Sequence, residues 1–300
     1  MLYTGKDGHK TTYKREWLIE NSYCDKRSEM VTPTYWSSNQ MKNKFPVMNY
    51  NDHNTENGLK SSIKNLLRYG FTVVDGVPLS KQDTKNVAER ICFILDTVFG
   101  KLWSFTSDGE RADTAYTNDG IGAHTDTSYF TNPAGVQFLH CLEHTGEGGS
   151  TLLVDGHNAA YQVLDESPED FNILTETIVP HEYIDKKLKD HYYSTGTVLS
   201  LCPLTKKLQN IRFNRYDMAP LITIPPEKIN KFYTAYNRLE SRIICSSNEL
   251  WFQLQPGMVL FFDNWRLLHG RSGFTGRREM CGGYLGKDDL SSVHRRFHLL

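Results

Sequence analysis

Residues 120–130, GIGAHTDTSYF, put an imidazole and a carboxylate, His124 and Asp126, one residue apart. In an extended strand residues i and i+2 face the same way, so the pair presents one nitrogen and one oxygen donor to a common point. A metal ion suits that point, but a solvated pair on an edge strand has the same spacing, so His-x-Asp alone does not decide. A second histidine, His269, closes the apolar run VLFFDNWRLLHGR. If it joins the first two, the donors are two imidazoles and one carboxylate. That set suits non-haem Fe(II) and leaves three adjacent positions open for a co-substrate and dioxygen. Structural zinc needs a fourth ligand, and no further Cys or His is placed to supply it. His140 and His144 flank an apolar strand and read as core or surface residues. His181, His191, His294 and His298 stand in polar contexts and read as solvated.

A bidentate oxo-acid would fill two of the open positions, and its far carboxylate would need a cation. Arg278 follows His269 by nine residues, just before the strand-like MCGGYLG, and a hairpin there returns its planar fork to the same barrel. Thr151, opening STLLVDG, could add a hydroxyl to that carboxylate. An ordinary exposed turn is the alternative for both. Aromatic residues crowd around the histidine–aspartate pair: Phe99, Trp103, Phe105, Tyr116 and Tyr129, with Tyr284 after Arg278. Such rings can box a quaternary ammonium through their quadrupoles, or simply form core.

Elements must bring these groups together. GLKSSIKNLLRYG carries Leu59, Ile63, Leu66 and Leu67 at helical spacing with Gly70 as the stop. FTVVDGV follows as a buried strand. Ser80, with Asp83 three residues on, caps an amphipathic helix over SKQDTKNVAERICFILDTVF, its stripe running Val87, Ile91, Ile94, Leu95 and Val98. After Gly100 the segments GVQFLHCLEH, STLLVDG, LQNIRFNRY, GMVLFFDNW and MCGGYLG are short, β-rich and bounded by Gly, Pro or Asn. Helical insertions are expected around 157–174 and over 226–244. The sum is a mainly β jelly roll with flanking and inserted helices, not a doubly wound parallel sheet. Residues 1–55 show no clear apolar period and read as a loose lead-in.

Composition narrows the function classes. Thirty-four basic against thirty-five acidic residues give a net charge of −1, and the densest basic clusters are too small for a nucleic-acid footprint. No run of about 18 apolar residues predicts a membrane span. The six cysteines are widely spaced without a C-x-x-C, which fits reduced thiols. Neither G-x-G-x-x-G nor a P-loop occurs. The N-terminus has neither a signal-peptide core nor a transit-peptide pattern.

DTAYTNDGIGAHTDTSYF, GVQFLHCLEHTGEGGSTLLVDG and VLFFDNWRLLHGR together resemble the trimethyllysine and γ-butyrobetaine dioxygenase family of Fe(II)- and 2-oxoglutarate-dependent oxygenases, related to taurine dioxygenase. The likeness runs from about residue 45 to the C-terminus. It implies a distorted double-stranded β-helix over 46–300 behind a lead-in over 1–45. It implies Fe(II) held by His124, Asp126 and His269, 2-oxoglutarate held by Arg278 with Thr151, and ascorbate as reductant. The family's trimethylammonium cage falls on Phe99, Trp103, Tyr116 and Tyr284, with Phe99 where Tyr is usual. Asp113, a carboxylate where butyrobetaine enzymes have an amide, suits an α-ammonium, and Asn214 matches a substrate-carboxylate contact. These features lean to the trimethyllysine branch, that is, to hydroxylation at C3 as the first step towards carnitine, with γ-butyrobetaine hydroxylation or a non-catalytic ligand-binding role as alternatives. Family members usually open with a small zinc-binding domain, and DGHKTTYKREWL matches its exit. The resemblance places the protein in the mitochondrial matrix, with the cytoplasm as the alternative, and leaves a homodimer open.

Overall fold

Along Val259–Asp263, Val259 and Phe261 face one way, Leu260 and Phe262 the other, and all four are buried. Only a sheet covered on both sides accepts such a strand. The computed structural model, which describes residues 1–22, 31–106 and 117–299, shows what covers it.

The chain opens with a hairpin, β1 (Leu2–Thr4) and β2 (Lys10–Thr12), and a short helix, α1 (Arg15–Glu20). Helix α2 (Ser38–Lys42) starts on a capping box of Ser37 and Gln40. Strand β3 (Val47–Asn49) leads through α3 (Tyr50–His53) to α4 (Glu56–Tyr69), which Thr55 caps and the left-handed Gly70 ends. Next come β4 (Phe71–Asp75), α5 (Lys81–Glu89), β5 (Trp103–Phe105), β6 (Ile121–His124), β7 (Val136–His144) and β8 (Thr151–Asp155). Helices α6 (Gly156–Glu166) and α7 (Pro168–Glu176) precede two hairpins, β9 (Ile178–Asp185) with β10 (Asp190–Thr197) and β11 (Leu199–Leu201) with β12 (Leu208–Ile211). The chain ends with α8 (Pro226–Ile243), β13 (Leu250–Phe252), β14 (Val259–Asp263), β15 (Leu267–Arg271), β16 (Arg278–Leu285) and α9 (Lys287–Arg296).

A six-stranded sheet in the order β3-β4-β14-β7-β16-β5 faces a four-stranded sheet in the order β13-β8-β15-β6. All pairings are antiparallel except β3 with β4. Leu153, Leu260, Phe262, Leu267 and Met280 fill the space between the sheets. Outside the larger sheet, α4, α5 and α9 bury Leu59, Ile63, Leu66, Val87, Leu290 and Val293 against Val259, Phe261 and Leu285. Outside the smaller one, α6, α7 and α8 bury Val163, Phe171, Leu174, Tyr236 and Leu239 against Leu152, Val154 and Leu268. This is the jelly roll with flanking and inserted helices that the strand-rich second half predicts.

Four local expectations change. The helix capped by Ser80 stops at Arg90 instead of running to Val98. Ile94 bridges to Leu285 and the Leu95 N–H donates to the Tyr284 carbonyl at 2.8 Å, so the second half of the apolar stripe serves an extended segment on β16. The insertion expected around 157–174 is two helices, divided where Ser167 caps α7 and Pro168 begins it. Residues 31–45 are strapped down despite their polar composition. The buried Trp36 donates its indole N–H to Tyr69 (2.7 Å), and the Arg266 guanidinium joins Thr34, Arg68 and Asp155 in one buried knot. Among the histidines read as solvated, His181 and His294 are buried.

Candidate metal centre and its cavity

β15 lies between β6 and β8, and His269 stands opposite His124 in the register. A bulge follows at once, and Gly270 allows it: a Cβ there would come within 2.5 Å of the Ile121 carbonyl. β6 ends at His124, so Asp126 reaches the centre from the bend beyond the strand and not from a shared strand face. That bend is fixed from outside. The Asp126 N–H donates to the Asn264 side-chain oxygen (2.8 Å), while the Asn264 amide N–H₂ donates to the Asp126 and Ala134 carbonyls (both 3.0 Å). Thr127 takes the left-handed conformation at φ 58°.

The three side chains converge. His124 Nε2 is 3.2 Å from Asp126 Oδ1, His269 Nε2 is 3.8 Å from Asp126 Oδ2, and one donor atom from each lies within 4.8 Å of the others. Donors bound at right angles about 2.1 Å from one ion stand about 3 Å apart, so modest inward movement suffices. His124 Nδ1 lies 2.9 Å from the Gly122 carbonyl, which fixes the proton on Nδ1 and leaves the Nε2 lone pair for a ligand role. Burial, helped by His124, pushes His269 down to about 3, so its imidazole is neutral as a metal requires. Burial raises the Asp126 carboxyl, but His269, His124 and the Tyr284 hydroxyl (2.8 Å) outweigh it and hold it well below the usual carboxylate range. For His124, burial is outweighed by Asp126, and its pKa is raised. Two imidazoles and one anionic oxygen fit a divalent iron.

The centre opens on a cavity of about 480 Å³. Thr151 stands opposite Arg271 in the β8–β15 register, and both line it with Arg278 of β16. The Arg271 and Arg278 guanidinium groups lie 4.8 and 5.8 Å from the Phe274 ring centre. Arg278 is 5% exposed, and burial followed by the Arg271 charge draws it down to about 10, so it stays cationic at neutral pH. Among the described residues no carboxylate forms an ion pair with it. A buried cation in this state suits an anionic ligand. Arg278 and Tyr284 lie on the same face of β16, six residues or about 20 Å apart, so one strand sets the length of the site.

Aromatic rings line another part of the cavity. Trp103 and Tyr284 lie with centroids 5.9 Å apart, and the Trp103 ring rests over Gly282, where a Cβ would come within 2.5 Å of it. Phe99 also lines the cavity. Asn214 lines it too, but its amide donates to the Thr125 carbonyl (3.2 Å) and to Asp217 (2.7 Å), and its oxygen accepts from the Tyr216 N–H. Asp113 and Tyr116 fall outside the described residues. Several lining residues have no counterpart in the sequence reading, among them Gln137 of β7, and Glu182 and Tyr183 of β9. Period-two alternation marks Gln137 only as a polar residue among apolar ones, and nothing local marks the β9 pair.

Residues 36–284 match the family described as Taurine catabolism dioxygenase TauD, TfdA family. The mitochondrial trimethyllysine dioxygenase of Mus musculus is 42% identical over 300 residues, covering 98% of this chain and 71% of that protein. The γ-butyrobetaine dioxygenase of Homo sapiens is 27% identical over 304 residues, covering 96% of this chain and 77% of its own length. Among solved structures, a taurine dioxygenase from Burkholderia xenovorans superposes with a TM-score of 0.60 at 13% identity, covering 85% of this chain and 89% of that one, a likeness of fold alone.

Proposed function

Because the chain belongs to the TauD, TfdA family of dioxygenases, we propose that it hydroxylates N6,N6,N6-trimethyllysine at C3 using Fe(II), 2-oxoglutarate and dioxygen, the first step towards carnitine. The observation that carries this reading is the cavity itself. It joins a two-histidine, one-carboxylate cluster to a buried arginine that pairs with no carboxylate among the described residues, and to rings able to receive a quaternary ammonium.

His124, Asp126 and His269 would hold the iron, and Arg278, assisted by the Thr151 hydroxyl, would grip the far carboxylate of 2-oxoglutarate. When bound, the metal and co-substrate supply the oxidising power: 2-oxoglutarate and O₂ become succinate and CO₂, and one oxygen atom enters the substrate C–H bond. The chain supplies position. Phe99, Trp103, Tyr116 and Tyr284 receive the trimethylammonium head, a contact worth about 2 kcal/mol or more where water is excluded. Asp113 pairs with the α-ammonium, and Asn214 contributes at the carboxylate end through its hold on the Thr125 carbonyl and Asp217. The substrate's C3 is thereby presented to the metal, the geometric share of the catalysis.

The catalytic unit is assigned to 46–300 with 1–45 as its lead-in, acting in the mitochondrial matrix with ascorbate as reductant. The decisive experiment adds Fe(II) and 2-oxoglutarate anaerobically and looks for a metal-to-ligand charge-transfer band. Trimethyllysine or γ-butyrobetaine is then supplied with air. Succinate release should favour trimethyllysine in kcat/KM. A preference for γ-butyrobetaine would overturn the substrate, and absence of the band would overturn the metal and co-substrate.

A further inference from the structure

Building on the trimethyllysine reading, we propose that Tyr183, carried by the β9–β10 hairpin, is a further wall of the quaternary-ammonium site. It would be a specificity-determining residue supplied from outside the two core sheets.

Among the described strands the hairpin pairs with itself alone, with an isolated bridge from His181 to Met218 beside it. Tyr183 and Tyr192 are cross-strand partners in it and so share a face. That face packs on the segment just beyond Asp126: Tyr183 stacks on Tyr129 with centroids 5.1 Å apart, and Tyr192 meets Phe130 at 5.5 Å. Tyr183 also lines the cavity and meets the Phe99 ring edge to face at 5.8 Å and 68°. The aromatic pairs of the cavity wall thus include Trp103 with Tyr284 from the large sheet and Phe99 with Tyr183.

A trimethylammonium group spreads its charge over three methyls and gains from ring faces on more than one side. Phe99 carries no hydroxyl, so that side of the site offers π-surface, and Tyr183 enlarges it. Simple packing against Tyr129 would explain the stacking, but not a second ring turned edge-on at Phe99 along the cavity wall.

The test compares trimethyllysine with its neutral isostere, in which a tert-butyl group replaces the trimethylammonium, by calorimetric titration of the Fe(II)- and 2-oxoglutarate-loaded protein without oxygen. Shape is constant and only the charge differs. Tyr183→Leu keeps apolar packing but removes the quadrupole, and should reduce the preference for the cation by about tenfold. Tyr183→Phe should keep the preference. If the leucine variant does not fold, Tyr183→4-cyanophenylalanine keeps the ring's shape and drains its face of charge, and should also lower the preference. A wild-type preference in the leucine variant, or in the cyano variant where that one is used, would overturn the proposal. Should the wild-type protein bind γ-butyrobetaine in place of trimethyllysine, the substrate reading falls, and γ-butyrobetaine against its own tert-butyl isostere decides Tyr183 in the same way. A wild-type protein that prefers neither cation to its isostere overturns both.

Discussion

Tyr284 serves two neighbours at once, its ring beside Trp103 and its hydroxyl on Asp126 Oδ2. Tyr284→Phe separates the roles. Losing a hydrogen bond to a charged group, about 1.5–3 kcal/mol, should weaken iron binding by tenfold or more, while the ring still receives the substrate cation. Equal iron affinity in metal titrations of the two proteins would show that this bond does not tune the ligand. Arg278→Lys keeps a charge but loses the fork, and 2-oxoglutarate affinity should drop by about 1–3 kcal/mol. If that variant binds normally and Arg271→Ala is impaired instead, the grip belongs to Arg271. His124→Ala and Asp126→Ala should each abolish iron binding and succinate release while circular dichroism stays that of the folded protein. Near-normal turnover in either would remove that residue from the ligand set.

At the scale of elements, the Asp126 bend depends on a strand it does not belong to. Asn264, in the turn between β14 and β15, makes three hydrogen bonds to this stretch. Asn264→Ala leaves buried peptide groups unpaired, and a stability loss of about 2–4 kcal/mol is expected together with weaker iron binding. A variant with unchanged melting temperature and metal affinity would contradict that role. The same stretch shows what sequence can and cannot disclose. His124, Asp126 and His269 were legible because donor chemistry is written in residue type. The strand face that His124 and Asp126 are expected to share was not, because β6 ends at His124, two residues short of Asp126, and Asn264 holds the bend beyond it. The stripe through Ile94 and Leu95 has helical period, yet β16 claims it through hydrogen bonds to residues some 190 positions away. Tyr183 reaches the cavity only because its hairpin folds back over Tyr129, a contact that no local pattern encodes.

Across the whole molecule, burial depresses five histidines, His53, His140, His157, His181 and His294, to about 4 each. Unfolded, they titrate near 6.5, so the unfolded chain takes up protons first. Their neutral forms are fully accommodated above pH 6.5, and that stability drains away as pH falls towards 4, at about 3 kcal/mol per histidine. The melting temperature should therefore drop steeply between pH 7 and pH 5, and a flat profile over that range would count against this burial. The pairing of β6 with β15 has a consequence for how the protein is made. His124 and Asp126 leave the ribosome about 145 residues before His269, and Arg278 follows later still. At about 5–20 residues per second, the nascent chain spends roughly 7–30 s with two of the three proposed iron ligands and not the third. On the proposed ligand set, a chain released early, before residue 269, would leave the ribosome without the third ligand.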